Sequence, residues 1–303
     1  MIDFKHISTE DRENYEKLLT STGERGCEYS FANLYLWGRQ TLSLCMDAAL
    51  LFSQFNRRSV YPFPVVTGDV KPAIDAVIHD AKARGIPCRL TGLTAADVTT
   101  LQDLYPDRFR IHPDRDSHDY VYSVDDLAEL KGKRYHKKRT HLNRFREAYP
   151  DAVCESLSAE TEEKAKSMVE RWYAERLEVD PGADFCMERH AIAKAFRKKE
   201  ELGLEIFVLR IENEVAALAV GSHSTPDTFD IHFEKALSLY DGAYVAINNG
   251  FARYIRDKYP EVRYLNREED MGIEGLRKAK LSYYPHHMIE KWWACLLEEG
   301  YDY

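Results

Sequence analysis

The clearest pattern in the chain lies between Thr228 and His287. Residues 228–234 alternate, with Phe229, Ile231 and Phe233 set against Asp230, His232 and Glu234. A period of two predicts a strand with one face in a core and the other turned away from it. A turn at Asp241-Gly242 leads into apolar positions at helical spacing (Ala243, Ala246, Ile247, Phe251, Ile255), which Pro260 closes. Residues 262–265 then read as a short strand that runs into the polar segment Asn266-Arg267-Glu268-Glu269-Asp270. A helix over 273–284 ends at Pro285, and 286–294 reads as a final strand.

The same reading extends upstream. Ser8 is placed to cap a helix reaching residue 19. The aromatic run 27–37 fits either a buried helix or an irregular wall. Strands are predicted at 42–46, 49–55 and 59–66, the last marked as an edge or a bulge by Pro62 and Pro64. A helix over 71–84 stops at Gly85. Then come a strand at 87–91, a helix at 94–104, and strands at 109–111 and 120–124. Helices follow at 125–130, 135–149, 159–179 and 187–202, and then a hairpin, 204–211 with 215–222, turning at Glu212-Asn213. Each half thus carries helix, antiparallel strands, helix, strand and helix. This divides the chain into residues 1–130 and 131–303, with the boundary between Tyr120 and Pro150.

Composition narrows the function classes. At 303 residues the chain suits two cores of roughly 150 residues each. A net charge of −9 argues against general nucleic-acid binding, yet residues 131–146 hold eight Lys or Arg and no acid. An isolated basic segment of that kind can attract a phosphorylated ligand. The six cysteines are scattered without a C-x-x-C pair, which points to reduced thiols and to no metal site. Neighbouring residues of a strand point to opposite faces, so His286 and His287 are not expected to share a metal. The N-terminal stretch lacks the apolar core of a signal peptide, and no run approaches the ~20 apolar residues of a membrane span, so a cytoplasmic protein is expected. No P-loop, G-x-S-x-G or H-E-x-x-H motif is present.

Two stretches carry candidate chemistry. Backbone N–H groups at the Gly242 turn, with Ala243, Tyr244 and Ala246, could cradle a phosphate, and Lys137, Lys138 and Arg139 of the basic segment could add charge to it. The acids after residue 265 could orient or deprotonate a nucleophile, and Tyr283 could protonate a leaving group.

These residues bring two families into view. Strand, turn, helix, strand and helix with Ala279 and Tyr283 at A-x-x-x-Y spacing resembles the GNAT acetyltransferase superfamily. Its phosphate turn, Q/R-x-x-G-x-G/A, is matched here only at Ala246, with Asp241 and Tyr244 at the other positions. Over most of the chain, CEYSFANLYLW, KGKRYHKKRTHLNRF, FEKALSLYDGAYVAINNGFA and YLNREEDMGIEGLRKAKLSYYP resemble a family of uncharacterised bacterial proteins. That family is related to the C-terminal domain of phosphatidylglycerol lysyltransferase and similar to the Fem-type aminoacyltransferases.

The resemblance implies an α/β (α+β) chain of two tandem GNAT-like (acyl-CoA N-acyltransferase-like) domains, each a mixed, mostly antiparallel sheet flanked by helices. It implies acyl or aminoacyl transfer from an acyl-CoA or aminoacyl-tRNA to an amine or hydroxyl, with no tightly bound cofactor. The flippase part of the full-length lysyltransferases is not matched, which makes a lipid acceptor less expected. Glu234, Glu268 and Glu269 become the candidates for handling the acceptor's proton. Arg277 and Lys280 would stabilise the tetrahedral intermediate, and Tyr283 would be the general acid. The competing expectation is a binding module that keeps the pocket without the chemistry.

Overall fold

The computed structural model describes residues 1–55 and 58–297. Two compact units emerge. One holds Met1–Asp119, Glu269–Arg277 and the stretch from Met288; the other holds Tyr120–Glu268 and Lys278–His287. The stretch expected as one continuous second domain from residue 131 thus contributes two segments to the first unit.

In the first unit, strands run in the order Lys5–His6, Gln40–Leu44, Ala48–Phe55, Arg58–Pro62, Arg89–Leu93, Trp292–Leu296 and Phe109–Pro113, with Val65–Val66 paired beside Ala48. Arg58–Pro62 is an interior strand rather than an edge: it lies antiparallel to Ala48–Phe55 and parallel to Arg89–Leu93. Its prolines fit because Pro62 is the last residue of the strand and Pro64 lies beyond it. Helix Lys71–Arg84 makes the crossover and stops where Gly85 turns left-handed, at φ 67°. It buries Ile74, Val77 and Ala81 against Tyr61, Leu90 and Leu296. Fully burying a side chain the size of Ile74 or Val77 contributes about 1.5–3 kcal/mol. Residues 27–37 resolve into a 3-10 turn, Cys27–Tyr29, and a buried helix, Phe31–Trp37. The Ser30 hydroxyl caps that helix by accepting the Asn33 N–H at 3.2 Å.

In the second unit the order is Asp119–Ser123, Tyr264–Asn266, Thr228–Ala236, Glu214–Thr225, Glu205–Ile211 and Val153–Ser156, with His287–Ile289 on the outer flank. The predicted single strand 286–294 is therefore two strands, His287–Ile289 and Trp292–Leu296, which enter different sheets. His286 precedes the first of them, and the two imidazoles come together instead of pointing apart, with Nδ1 atoms 2.9 Å apart.

The strand Thr228–Ala236 also departs from simple alternation. Val220 faces Phe233 while Gly221 faces Ile231, so His232 is the extra residue of a β-bulge. A bulge re-aims the side chains that follow it. Phe229 packs on Phe251 (ring centroids 6.0 Å) and Glu234 meets Asn248 (3.1 Å), so both reach the crossover helix Ala243–Lys258. Lys235 instead reaches Glu188 on helix Cys186–Lys198. Both faces of this strand are buried, Asp230 completely so.

Candidate active site

The site follows from where two parallel strands part. Thr228, Phe229 and Asp230 pair in parallel with Tyr264, Leu265 and Asn266, and there the pairing ends. One strand continues to Ala236 while the other chain leaves the sheet as Arg267 and Glu268. In α/β sheets the crevice beyond the carboxyl ends of parallel strands is where ligands gather. Backbone geometry marks the same place, since Glu268 is left-handed at φ 57°. A non-glycine residue in that region costs of order 1–3 kcal/mol and persists where surrounding contacts hold it. Here they do: the Glu268 N–H donates to Asn266 Oδ1 (2.8 Å), and its carbonyl accepts from Tyr120 N–H (3.2 Å) and Lys280 Nζ (3.0 Å).

Arg267 bridges the point where the strands part. Its Nη2 donates to Glu234 Oε1 at 3.1 Å, and the other Glu234 oxygen accepts from Asn248 Nδ2, also at 3.1 Å. The guanidinium lies 5.0 Å from the Tyr283 ring centroid and 5.7 Å from that of Tyr122. Burial would strip its charge, but Glu234 reverses this and holds Arg267 above the ordinary range. Nη1 is buried with no hydrogen-bond partner among the described residues. Buried donors are nearly always paired, so an unsatisfied one calls for an explanation.

Lys138 closes the cluster from the basic helix His136–Ala148. Its Nζ stands 3.7 Å over the Tyr283 ring and donates to Ser282 Oγ at 2.8 Å. Burial and the neighbouring Arg267 lower its pKa to about 8. Burial pushes the Tyr283 phenol well above its ordinary value.

The structure brings some of the candidate residues together and separates others. Glu234, Tyr283 and Lys138 meet at Arg267. Glu268 lies one residue further on, with Oε1 3.0 Å from His232 Nδ1. Lys280 donates to the carbonyls of Arg267 and Glu268, so its charge holds the loop in place. Glu269 and Arg277 belong to the first unit. Arg277 there binds Asp270 at 2.9 Å and Asp116 at 2.6 Å. Consecutive residues of the basic helix diverge, as 100° per residue requires. Lys137 is exposed, while Arg139 caps the preceding helix through the carbonyls of Leu130 and Gly132.

At the Gly242 turn, a Cβ on this residue (φ 85°) would lie 2.9 Å from Phe145 Cβ, so close packing of the basic helix explains the glycine. The Ala243 N–H donates to Tyr240 O, and Ala243 and Ala246 are buried. The Tyr244 hydroxyl accepts from Trp172 Nε1 at 3.0 Å. Between the basic helix and the crossover helix lies a cleft of about 530 Å³, lined by Phe145, Arg146, Cys154, Phe207, Arg253 and Tyr254 among others.

The first unit holds a polar cluster that sequence reasoning missed. Lys291, 2% exposed, lies 2.8 Å from Asp119, 2.5 Å from Glu28 and 3.7 Å from Glu269. Burial opposes its charge, but Asp119 and its other anionic neighbours raise its pKa well above the ordinary lysine value. Cys27, Asp119 and Glu269 offer ligand atoms within 4.8 Å of one another, but the Lys291 ammonium already meets that negative charge. The residues come from four distant stretches, and no local spacing links them. In the same unit the parallel pair Tyr61/Leu90 and Pro62/Thr91 also parts. There the Tyr29 hydroxyl reaches the carbonyls of Phe63, Thr91 and Gly92 at 3.2–3.4 Å, filling the gap with the chain's own side chain.

This architecture, two mixed sheets with parallel strands parting beside a crossover helix, defines a tandem GNAT-like α/β protein. The chain belongs to the family described as Phosphatidylglycerol lysyltransferase, C-terminal, which matches residues 20–295. It is similar to a conserved protein of unknown function from Bacteroides thetaiotaomicron, with 35% identity and a TM-score of 0.91 over 98% of this chain and 100% of that one. The fold also matches L-PGS from Bacillus licheniformis (16% identity, TM-score 0.67, 96% and 93% covered). It likewise matches FemX (11% identity, TM-score 0.64, 98% of each chain covered). An uncharacterized protein of Mycoplasmoides gallisepticum is 24% identical over 179 residues, which are 58% of this chain and about half (55%) of that protein's length. Among the described residues no helix is long and apolar enough to cross a membrane.

Proposed function

We propose that the second unit transfers an acyl or aminoacyl group from an activated donor to an amine or hydroxyl acceptor, in the crevice spanned by Arg267. The observation that carries this reading is the buried, unsatisfied Nη1 of Arg267, fixed by Glu234 and flanked by Lys138 and Tyr283. A donor aimed where negative charge develops stabilises an oxyanion far better in a desolvated site than in water. The acceptor's lone pair attacks the carbonyl carbon, the oxyanion forms against Arg267, and the ester or thioester bond then breaks. Lys138, with a pKa of about 8, protonates the departing oxygen or sulfur near its optimal balance of acidity and occupancy.

The family's description names a lysyltransferase, which suits a donor carrying lysine such as lysyl-tRNA, and the GNAT-like fold suits an acyl-CoA. Isothermal titration with lysyl-tRNA, unacylated tRNA and acetyl-CoA separates the two. Binding of lysyl-tRNA alone selects the first and binding of acetyl-CoA alone the second. Binding of neither contradicts the reading. Binding without any consumption of the donor favours a module that has lost its chemistry.

A further inference from the structure

After the carboxyl end of strand Tyr264–Asn266, Glu268 joins two side chains, Ser222 and His232, that have no part in the transfer step. Ser222 Oγ lies 2.9 Å from His232 Nε2, and His232 Nδ1 lies 3.0 Å from Glu268 Oε1. The serine and imidazole are deeply buried, the His232 side chain completely, whereas Glu268 keeps 16% of its side chain exposed. The array therefore runs from the interior outward and ends on a partly exposed carboxylate, on the residue after Arg267. Two irregularities build it. The bulge places His232 opposite the loop instead of within the ladder, and the left-handed backbone of Glu268 turns its side chain back toward the strand.

A neutral imidazole between a hydroxyl and an ionised carboxylate has one consistent arrangement. The carboxylate only accepts, so Nδ1 carries the hydrogen and donates to Glu268, and Nε2 accepts the Ser222 hydroxyl hydrogen. Burial depresses the His232 pKa to about 4, although Asp230 nearby works the other way, so the ring is neutral under ordinary conditions. The Lys280 ammonium donates to the Glu268 carbonyl, and Arg267 is the preceding residue.

We propose that Ser222, His232 and Glu268 form a relay that aims the Glu268 carboxylate at the acceptor, so that Glu268 takes the acceptor's proton and His232 serves as its positioning residue. The proposal rests on the transfer reading. During the reaction the acceptor's N–H or O–H proton passes to a Glu268 oxygen as the new bond to the acyl carbon forms. The leaving group takes its proton from Lys138, and solvent returns the two residues to their starting states. Ser222 is too buried to be the nucleophile, which separates this array from a serine hydrolase triad of similar distances.

Two measurements on the full chain test it. In protein labelled with nitrogen-15 at histidine, ring spectra between pH 5 and 8 are expected to show His232 as a neutral ring with hydrogen on Nδ1; the resonance is assigned by its loss in His232→Asn. The Nε2-hydrogen tautomer would overturn the proposal. Turnover is then followed with whichever of lysyl-tRNA or acetyl-CoA the wild type consumes. His232→Leu is expected to lower kcat by about ten- to a hundredfold with KM for the donor unchanged. His232→Asn, whose amide can replace the Nδ1 hydrogen bond, restores most of kcat, and Glu268→Gln removes it. Wild-type kcat in His232→Leu, or no rescue by asparagine in a folded variant, would also overturn the proposal. If the wild type consumes neither donor, the transfer reading falls and the catalytic role of Glu268 with it, while the tautomer still reports whether the relay exists.

Discussion

Arg267 and Glu234 meet at 3.1 Å across the point where two parallel strands separate, and both side chains are nearly buried, at 14% and 11% exposure. The pair lies at the seam of the sheet, where the backbone ladder ends and side chains must supply the cross-links. Removing one partner of a buried ion pair leaves the other uncompensated, at a cost of about 3–5 kcal/mol. Glu234→Gln is therefore expected to lose about 3 kcal/mol in urea denaturation. Adding Arg267→Met should recover more than half of that, because no buried charge is then stranded.

Lys138 gives the reaction its expected pH dependence. As a general acid it must be protonated, so kcat should fall above pH 8, with an apparent pKa near the value of about 8 that burial and Arg267 set. Lys138→Met should lower kcat by about a hundredfold or more and remove that falling limb. A pH–rate profile on both proteins checks this.

His232 makes a separate prediction about stability. Its folded pKa of about 4 lies below the ordinary 6.5, so between those values the unfolded chain binds more protons. Stability is full above pH 6.5 and declines as pH falls toward 4, in total by about 3 kcal/mol at 1.36 kcal/mol per unit. Denaturation at pH 7, 5.5 and 4 should show this contribution, and His232→Asn should lack it.

Much of the fold was legible in the sequence because local patterns determine local elements. Helix Lys71–Arg84 with Gly85, helix Ala159–Val179 and the hairpin around Glu212 lie where period and turn residues place them. The bulge at His232 was not legible, because it is defined by the partner strand's register and not by its own residues. Nor was the division of 286–294, since Trp292–Leu296 pairs with strands about 180–200 residues away in sequence. The polar segment after residue 265 marks this place in the sequence, but nothing in it singles out Arg267. Its central position depends on Glu234 and Tyr283, which arrive from other elements.

Gly242→Ala tests the local account of the turn. The new methyl group would sit 2.9 Å from Phe145 Cβ at a φ of 85°, so a loss of about 1–3 kcal/mol is expected. Thermal denaturation compared with the wild type checks it.

Transfer at Arg267 is tested by consumption of the donor, whatever the natural acceptor. Radiolabelled lysyl-tRNA and acetyl-CoA are each incubated with the protein and hydroxylamine as a surrogate acceptor, and the hydroxamate formed is counted. Protein-dependent hydroxamate is expected from one donor, and at least about a hundredfold less with Arg267→Met of wild-type fold. Equal rates for the two proteins, or no hydroxamate from either donor, would contradict it.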